Sequence, residues 1–462
     1  MASFRIPAEE YAARRARLMA AMGEGSIALV AAATERVRNH DVHYPFRQDS
    51  DFRYLTGFPE PDALAVLRPG HAEPYVLFCR PRDPLMEIWH GRRAGPAGAI
   101  ERFGADAAYP LDELDQRLPE LLEGVERVHY RYGADPALDT RVSGWISALR
   151  AKLRSGVHVP RELVNLDALL HAHRRVKSPA ELEVMRSAGR ISAAGHRRAM
   201  QVCRPGLNER RLEAEILHEF ALAGAGWSYP AIVGGGDNAC ILHYTENDAE
   251  LRDGDLVLID AGCELDSYAG DITRTFPVNG RYSGPQRALY EVVLAAQHAA
   301  MAVVRPGMAW PDYHDAAVRV LTEGLISLGL LEGGVDERIA DESYRRFYMH
   351  RTGHWLGMDV HDCGEYREPG EPGSGENRPW RILRPGMVVT VEPGFYQVPA
   401  ILSDPKLTGA VGADLDRAAL ARFSDVRGIR LEDDVLCTAS GHEVLTAAIP
   451  IDADAVTAWM RG

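Results

Sequence analysis

The chain has 462 residues, of which 46% are hydrophobic and 26% charged, the balance of a soluble globular protein. At about 100 to 200 residues per domain, this length predicts two or three domains. The formal net charge of -14 at pH 7 argues against a nucleic-acid partner, because phosphate binding requires a basic face.

The first 22 residues are rich in arginine, but they lack an unbroken apolar segment and include Glu9 and Glu10. This pattern predicts an amphipathic helix, not a targeting peptide. No run approaches about 18 apolar residues, so no membrane partner is expected. The six cysteines form no C-x-x-C pair, which favours a reducing compartment, and we therefore expect a cytoplasmic protein.

Between residues 26 and 160, short apolar runs alternate with helical patterns. The runs include I-A-L-V-A-A-A, A-L-A-V-L and P-Y-V-L-F, and one helical pattern reads L-D-E-L-D-Q-R-L-P-E-L-L. Such alternation predicts an α/β domain.

A basic segment with a proline, R-R-V-K-S-P at 174–179, interrupts this pattern. Ser178 and the following proline, with Glu181 three residues after Ser178, are typical of a helix start. We place the domain boundary here, which predicts an N-terminal domain over 1–173 and a second domain over 174–462.

The second domain contains an internal repeat. Two long helical patterns end in C-R-P-G and V-R-P-G, and each is followed by a further helical pattern. The segment G-D-L-V-L-I-D-A-G at 254–262 aligns without gaps on G-M-V-V-T-V-E-P-G at 386–394, so Asp260 corresponds to Glu392. Two related halves that face each other would bring these two acids together across a pseudo-twofold axis.

The segment 253–276 places two acids near a predicted interior. An apolar run predicts a buried strand that ends at Asp260, and Asp271 follows in a second strand-like segment. On these residues alone, a turn at Asp260 and a solvent-facing Asp271 would be the ordinary interpretation. Two buried carboxylates, however, cost several kcal/mol unless a cation or a hydrogen-bond network compensates them.

The pattern G-I-R-L-E-D-D-V-L at 428–436 predicts a strand on which Arg430 and Glu432 share a face. By itself this pair is typical of a surface ion pair. Four carboxylates and one imidazole are then candidate metal ligands: Asp260, Asp271, His354, Glu392 and Glu432. This oxygen-rich set favours Mn²⁺, Co²⁺, Zn²⁺ or Fe²⁺, and its charge suits two divalent ions.

Seven motifs, in the same order, resemble those of the Xaa-Pro aminopeptidases (aminopeptidase P), which belong to the pita-bread group with prolidase, methionine aminopeptidase and creatinase. The motifs are D-S-D-F-R-Y-L-T-G-F (49–58), I-L-H-Y-T-E-N (241–247), L-I-D-A-G (258–262), Y-A-G-D-I-T-R-T-F (268–276), H-R-T-G-H-W-L-G-M-D-V-H-D (350–362), V-E-P-G (391–394) and R-L-E-D-D (430–434). The resemblance implies an α/β N-terminal domain followed by an α+β pita-bread catalytic domain with an internal pseudo-twofold repeat.

The resemblance also implies the role of each ligand. One ion would be held by Asp260, the other by His354 and Glu392, and both would be bridged by Asp271 and Glu432. The cofactor would be two divalent metal ions per chain, with Mn²⁺ as the first choice and Co²⁺, Zn²⁺ or Fe²⁺ as alternatives.

Further residues are assigned catalytic roles by the same resemblance. His243, His350 and His361 would surround the scissile carbonyl, where imidazoles can donate hydrogen bonds to a developing oxyanion. Glu392 would pass a proton to the leaving proline nitrogen, and Arg430 would lie near the bridging carboxylates.

The implied activity is hydrolysis of the bond between the first residue of a peptide and a proline in second position. The chain would act as a homodimer or homotetramer. Prolidase, which cuts Xaa-Pro dipeptides, shares these motifs and is the alternative. A non-catalytic peptide-binding module of the same fold is disfavoured because all five ligands are present. The long segments 364–381 and 397–427 leave the size of the substrate entrance open.

Overall fold

The structure, a computed structural model, describes residues 5–370, 375–404, 407 and 417–461. The chain divides into two compact units, one over Arg5–Arg174 and one that begins at Arg175. Within the described ranges, none of the helices combines the length and apolarity needed to cross a membrane.

The first unit is built on a six-stranded mixed sheet with helices along the chain between its strands. Its elements are α1 (Ala8–Met22), β1 (Ser26–Ala31), β2 (Val37–Asn39), β3 (Val42–His43), α2 (Ser50–Thr56), β4 (Leu64–Leu67), β5 (Tyr75–Cys79), α3 (Pro84–His90), α4 (Gly95–Phe103), β6 (Ala107–Pro110), α5 (Leu114–Leu122), β7 (Arg127–Tyr130), α6 (Pro136–Arg150), β8 (Glu162–Asn165) and α7 (Asp167–Arg175).

The sheet has the order β6-β5-β4-β1-β7-β8. β4 pairs antiparallel with β1 and β5, whereas β1–β7, β5–β6 and β7–β8 are parallel pairs. β4 and β5 are buried along their whole length, which explains why they read as continuous apolar runs in the sequence.

The second unit contains several small sheets surrounded by helices. Its elements are α8 (Pro179–Val202), α9 (Glu209–Leu222), β9 (Gly226–Trp227), β10 (Ile232–Gly235), β11 (Leu256–Asp260), β12 (Cys263–Leu265), β13 (Tyr268–Ala269), β14 (Thr273–Pro277), α10 (Gly284–Val303), α11 (Asp312–Ser327), α12 (Val335–Ala340), β15 (Val388–Val391), β16 (Gly394–Tyr396), α13 (Pro399–Ser403), α14 (Arg417–Arg422), β17 (Gly428–Arg430), β18 (Asp433–Cys437), β19 (His442–Val444) and α15 (Ala453–Arg461).

Helix α8 begins where the sequence predicted a helix start. The Ser178 hydroxyl accepts a hydrogen bond from the Glu181 backbone amide, and the Glu181 carboxylate accepts one from the Ser178 amide. This reciprocal capping box satisfies two amides that would otherwise lack partners at the helix end.

The predicted repeat corresponds to matching elements. The two helical patterns become α8 and α10, which are followed by α9 and α11. The aligned strand motifs become β11, in the three-stranded sheet β10-β11-β14, and β15, in the sheet β15-β18-β19. Both strands are fully buried, β11 ends at Asp260, and Glu392 follows β15 directly.

The two long segments are only partly described. Residues 371–374, 405, 406 and 408–416 lie outside the described residues. The described part of 397–427 contains the short helices α13 and α14.

Candidate metal centre and active site

The first group of carboxylates is positioned by the sheet β10-β11-β14. Asp260 pairs with Thr273 in the β11–β14 register, which places the end of β11 beside the start of β14. Thr273 in turn bridges to Glu432: its backbone carbonyl accepts from the Glu432 amide at 3.0 Å, and its hydroxyl donates to Glu432 Oε2 at 2.6 Å. Asp260 at the end of β11 and Glu432 between β17 and β18 therefore lie close together, one from each half of the unit.

The second group, His354 and Glu392, is positioned by hydrogen bonds between segment 352–354 and segment 390–392 at the end of β15. The Thr390 amide donates to the His354 carbonyl at 3.0 Å, and the Glu392 amide donates to the Thr352 carbonyl at 2.8 Å. A Cβ on Gly353 would lie 2.0 Å from the Thr390 carbonyl oxygen, so only glycine allows the two segments to approach this closely. His354 and Glu392 therefore lie side by side.

All nine predicted site residues line one cavity of about 670 Å³. They are Asp260, Asp271, His354, Glu392 and Glu432, predicted as metal ligands, and His243, His350, His361 and Arg430, predicted with Glu392 as catalytic residues. Their roles stay predictions, but the chain brings together residues that are up to 189 positions apart, from 243 to 432. Apolar side chains, including Ile232, Leu242 and Val360, complete the lining.

The donor set fits divalent cations. Ligand atoms of Asp271, His354 and Glu432 lie within 4.8 Å of one another. His354 Nε2 lies 3.4 Å from Asp271 Oδ2 and 3.6 Å from Glu392 Oε1. Hard oxygen donors with one imidazole suit Mn²⁺, Co²⁺, Zn²⁺ or Fe²⁺ better than a soft metal.

The electrostatics of the cluster also call for added positive charge. Burial raises the pKa of Asp260, and the pKa of Glu432 is raised first by burial and then by the charge of Asp271. Burial raises the pKa of Glu392 to about 7. Burial opposes the charged form of His354, yet its contacts with Asp271 and Glu392 raise its pKa to about 9. Bound cations would relieve this crowding of acids.

Arg430 contacts one acid of the cavity lining and two hydroxyl groups outside that lining. Its guanidinium donates to Asp260 Oδ2 at 2.6 Å, to the Thr273 hydroxyl at 3.1 Å and to the Tyr396 hydroxyl at 2.9 Å. It is only 4% exposed, so these bonds satisfy a charge that would otherwise be costly. Arg430 therefore fixes the position of the Asp260 carboxylate, and the Tyr396 hydroxyl connects Arg430 to His350.

His350 is connected to Arg430 through Tyr396. His350 Nε2 lies 3.0 Å from the Tyr396 hydroxyl, and His350 Nδ1 lies 2.8 Å from the Arg351 carbonyl oxygen. Because a carbonyl can only accept, Nδ1 carries the proton in the neutral ring. Burial, followed by the charge of Arg430, lowers the pKa of His350 to about 3, so the ring is neutral at neutral pH.

His361 and His243 lie at more exposed positions of the cavity. The His361 ring lies 4.3 Å from that of His354, measured between centroids, at an interplanar angle of 74°. Burial and then the charge of His354 lower the pKa of His361. Both exposed imidazoles can reach a molecule that enters the cavity.

Two tyrosines of the site were missed by the sequence interpretation. The Tyr229 hydroxyl lies between two acids of the site, 2.5 Å from Asp260 Oδ1 and 2.6 Å from Asp271 Oδ1. Tyr229 lies in the bend between β9 and β10, and it belongs to none of the motifs found in the sequence. Tyr396 lies four residues after Glu392, so extending the V-E-P-G motif would have found it.

A buried ion pair anchors the segment that carries His361. Lys177 Nζ donates to Asp362 Oδ2 at 3.0 Å, and each side chain is 1% exposed. The Asp362 amide also donates to the Trp355 carbonyl at 2.9 Å, which closes the loop between His354 and His361. The pair thus ties both histidines to the start of the second unit.

Breaking this pair should destabilise the second unit strongly. Lys177→Met removes the cation that lies against the buried Asp362 carboxylate, so we expect the free energy of unfolding to fall by about 3–5 kcal/mol. Urea unfolding would show the loss as a lower midpoint. The matched control is the double variant Lys177→Met/Asp362→Leu, which removes both charges and should recover part of the loss. An unchanged midpoint in the single variant would contradict this account.

A second grouping of potential ligands lies in the first unit but is better explained by ion pairing. Asp51, Asp167 and His171 offer ligand atoms within 4.8 Å of one another. Arg174 Nη1, however, lies 2.6 Å from Asp51 Oδ1, and His171 Nε2 lies 3.3 Å from Asp51 Oδ2. Although burial opposes it, these partners lower the pKa of Asp51, whose charge is already compensated.

Comparison with known proteins identifies this arrangement. The model of metallopeptidase family M24 matches residues 183–439, and that of the aminopeptidase P N-terminal domain matches residues 11–130. The chain is 44% identical over 461 residues to the Xaa-Pro aminopeptidase of Escherichia coli K12, with 98% of each chain covered.

Solved structures agree over nearly the whole chain. The structure of Pseudomonas aeruginosa aminopeptidase PepP is 53% identical with a TM-score of 0.92, and 99% of each chain is covered. Zn-substituted E. coli aminopeptidase P in complex with product is 44% identical with a TM-score of 0.90, again with 99% of each chain covered.

Fold and site together define a metal-dependent hydrolase of peptide bonds. The chain belongs to metallopeptidase family M24 and carries the N-terminal domain of aminopeptidase P. It is a metal-dependent aminopeptidase whose cofactors are divalent metal ions. The predicted fold, an α/β N-terminal domain followed by a pita-bread catalytic domain, is confirmed.

Proposed function

We propose that this protein removes the first residue from peptides whose second residue is proline, and that it acts on peptides of three or more residues. The observation that carries the proposal is the match over nearly the whole chain to Xaa-Pro aminopeptidases, which includes the aminopeptidase P N-terminal domain. That domain favours aminopeptidase P over prolidase.

The proposed cofactor is a pair of divalent ions, with Mn²⁺ as the first choice. Asp260 would hold one ion, His354 and Glu392 the other, and Asp271 and Glu432 would bridge them. The donor set and the mutual repulsion of its carboxylates support this assignment. When bound, such ions supply Lewis acidity and lower the pKa of water for attack on a carbonyl.

The protein's own groups would perform the remaining work. His243, His350 and His361 would surround the scissile carbonyl, and His243 and His361 would donate hydrogen bonds to the negative charge that develops on it. Both nitrogens of the neutral His350 ring face other groups, the Tyr396 hydroxyl and the Arg351 carbonyl, so His350 would shape the pocket and would not donate to the oxyanion. Glu392 would carry a proton to the proline nitrogen as the peptide bond breaks.

Proline in second position offers a distinctive target. It lacks a backbone N–H and its ring fixes φ, so a pocket can recognise the ring and the tertiary amide together. We place that pocket near His350, where Ile232 and Leu242 also line the cavity.

Comparing peptide lengths tests the proposal. With Mn²⁺ bound, we expect kcat/KM for Ala-Pro-Ala to exceed that for Ala-Pro by at least roughly 10-fold, about 1.4 kcal/mol, because the dipeptide lacks the third residue. Ala-Ala-Ala is the control for proline recognition. Cleavage of Ala-Pro with Ala-Pro-Ala left intact would instead identify a prolidase.

We also propose a cellular compartment and an oligomeric state for the enzyme. The six cysteines form no disulfide bond, which supports a reducing, cytoplasmic compartment. We also propose a homodimer or homotetramer, which light scattering coupled to size-exclusion chromatography would distinguish. Elemental analysis after reconstitution with each candidate metal would determine which one supports activity and whether two ions bind per chain.

A further inference from the structure

One arginine of the cavity lining, Arg351, has a guanidinium group without a partner among the described residues. Arg351 lines the cavity beside His350 and is exposed. Its carbonyl oxygen accepts a hydrogen bond from His350 Nδ1–H, but within the described part of the chain its side chain makes no hydrogen bond, ion pair or ring contact. Arg430, the other arginine of this lining, is by contrast fully engaged with Asp260, Thr273 and Tyr396.

The surroundings of Arg351 leave its charge available. Burial and then Asp312 raise the pKa of Asp315 on α11, and the charge of Arg351 acts in the opposite direction. No ion pair within 4.0 Å joins Arg351 to Asp315 or to another described acid. The four acids proposed as metal ligands contact other side chains and are buried or half-buried, whereas Arg351 is exposed. Its position is therefore nearer the opening of the cavity than that of the metal ligands.

We propose that Arg351 binds a carboxylate on the third residue of the substrate, either the α-carboxylate of a tripeptide or an acidic side chain. A planar guanidinium with two parallel donors suits a carboxylate better than any neutral group. This inference rests on the proposed function, which places the substrate's proline near His350. The third residue then lies about 3.5 Å further along the peptide, towards the exposed side of the cavity where Arg351 stands.

The position of Arg351 suits a carboxylate on the third residue of a peptide better than the proline carboxylate of a dipeptide. The free carboxylate of an Xaa-Pro dipeptide would be attached to the proline itself, beside the half-buried ring of His350. Arg351, which follows His350 and is exposed, is better placed for the next residue. The enzyme would thus prefer short peptides that end at, or carry an acid at, the third position.

Two matched pairs of substrates test the proposal. The first pair is Ala-Pro-Ala and its C-terminal amide; the second is Ala-Pro-Glu-NH₂ and Ala-Pro-Gln-NH₂. The Mn²⁺-loaded enzyme, R351Q, R351K and the control R305Q are compared. Arg305 is exposed and does not line the cavity, so R305Q removes one positive charge from the same unit without touching the site.

We expect the unmodified enzyme to favour the carboxylate member of at least one pair by roughly 3- to 10-fold in kcat/KM, mainly through KM, as suits a partly exposed ion pair. The preference should fall to about one in R351Q, remain in part in R351K and stay unchanged in R305Q. Because salt screens the attraction between exposed charges, about 0.5 M salt should reduce the ratio of kcat/KM between the two members of the pair. The pair that shows the effect identifies the source of the carboxylate.

Other results would overturn the inference. Equal rates within both pairs would show that the carboxylate is not recognised, although cleavage of all four peptides would still support the proposed function. A preference that persists in R351Q would assign the contact to another residue. Ala-Pro and its amide are measured alongside as a third pair. If only this pair shows a preference for the carboxylate and the preference depends on Arg351, the arginine binds the proline carboxylate and the proposed peptide length fails with it.

Discussion

Replacing Asp271 with Asn is expected to reduce kcat by at least about 10³-fold and to lower the content of bound metal, while the fold is retained. The factor corresponds to about 4 kcal/mol, the scale of the charge stabilisation that a metal ion supplies to a transition state. Asp271 is 4% exposed, and its Oδ2 lies 3.4 Å from His354 Nε2. A neutral amide in this position would weaken the proposed sites of both ions at once.

The measurement combines kcat, elemental analysis and thermal unfolding on the same preparation. Asp253→Asn is the matched control, because Asp253 is exposed in the turn before β11 and lies outside the cavity. It should change neither metal content nor activity. Full activity of Asp271→Asn with normal metal content would refute the bridging role.

Replacing His361 with Ala is expected to lower kcat by roughly 10²- to 10³-fold while bound metal is largely retained. The reason is that His361 lines the cavity from an exposed position and is proposed to contact the carbonyl, not the ions. Losing a hydrogen-bond donor to a developing oxyanion acts on the transition state more than on substrate binding, so KM should change much less than kcat.

His442→Ala provides the control for this experiment. His442 lies in β19 at an exposed position and does not line the cavity. Metal content and kinetics should be measured together for both variants. A loss of metal in proportion to the loss of activity in His361→Ala would show that His361 serves as a ligand or as part of the scaffold.

Much of the site could be predicted because its residues occur next to strong local signals. An apolar strand followed by an acid marks Asp260 and Glu392, and both strands are buried as expected. The capping box at Ser178 marks the start of α8. Such features are encoded over a few residues, so a single sequence is sufficient to find them.

The contacts that were missed join residues distant in the chain. Lys177 and Asp362 are separated by 185 positions, and the basic segment around Lys177 suggested only a domain boundary. Tyr229 meets Asp260 and Asp271 across a turn that no periodicity identifies. Arg351 becomes noticeable only when the partners of every other charge in the cavity are known. Burial and pairing of this kind depend on tertiary structure, which local patterns do not encode.

The bridge between Thr273 and Glu432 has a consequence for how the enzyme acquires its cofactor. Arg274 strengthens the bridge, since it donates to the Glu432 carbonyl at 2.7 Å and to Asp433 Oδ1 at 2.8 Å. These bonds join the strands of the two halves through protein groups alone. The ligands are therefore arranged by folding itself, and little conformational entropy remains to be lost when ions arrive. Such an arrangement would allow ions to bind to a chain that is already folded.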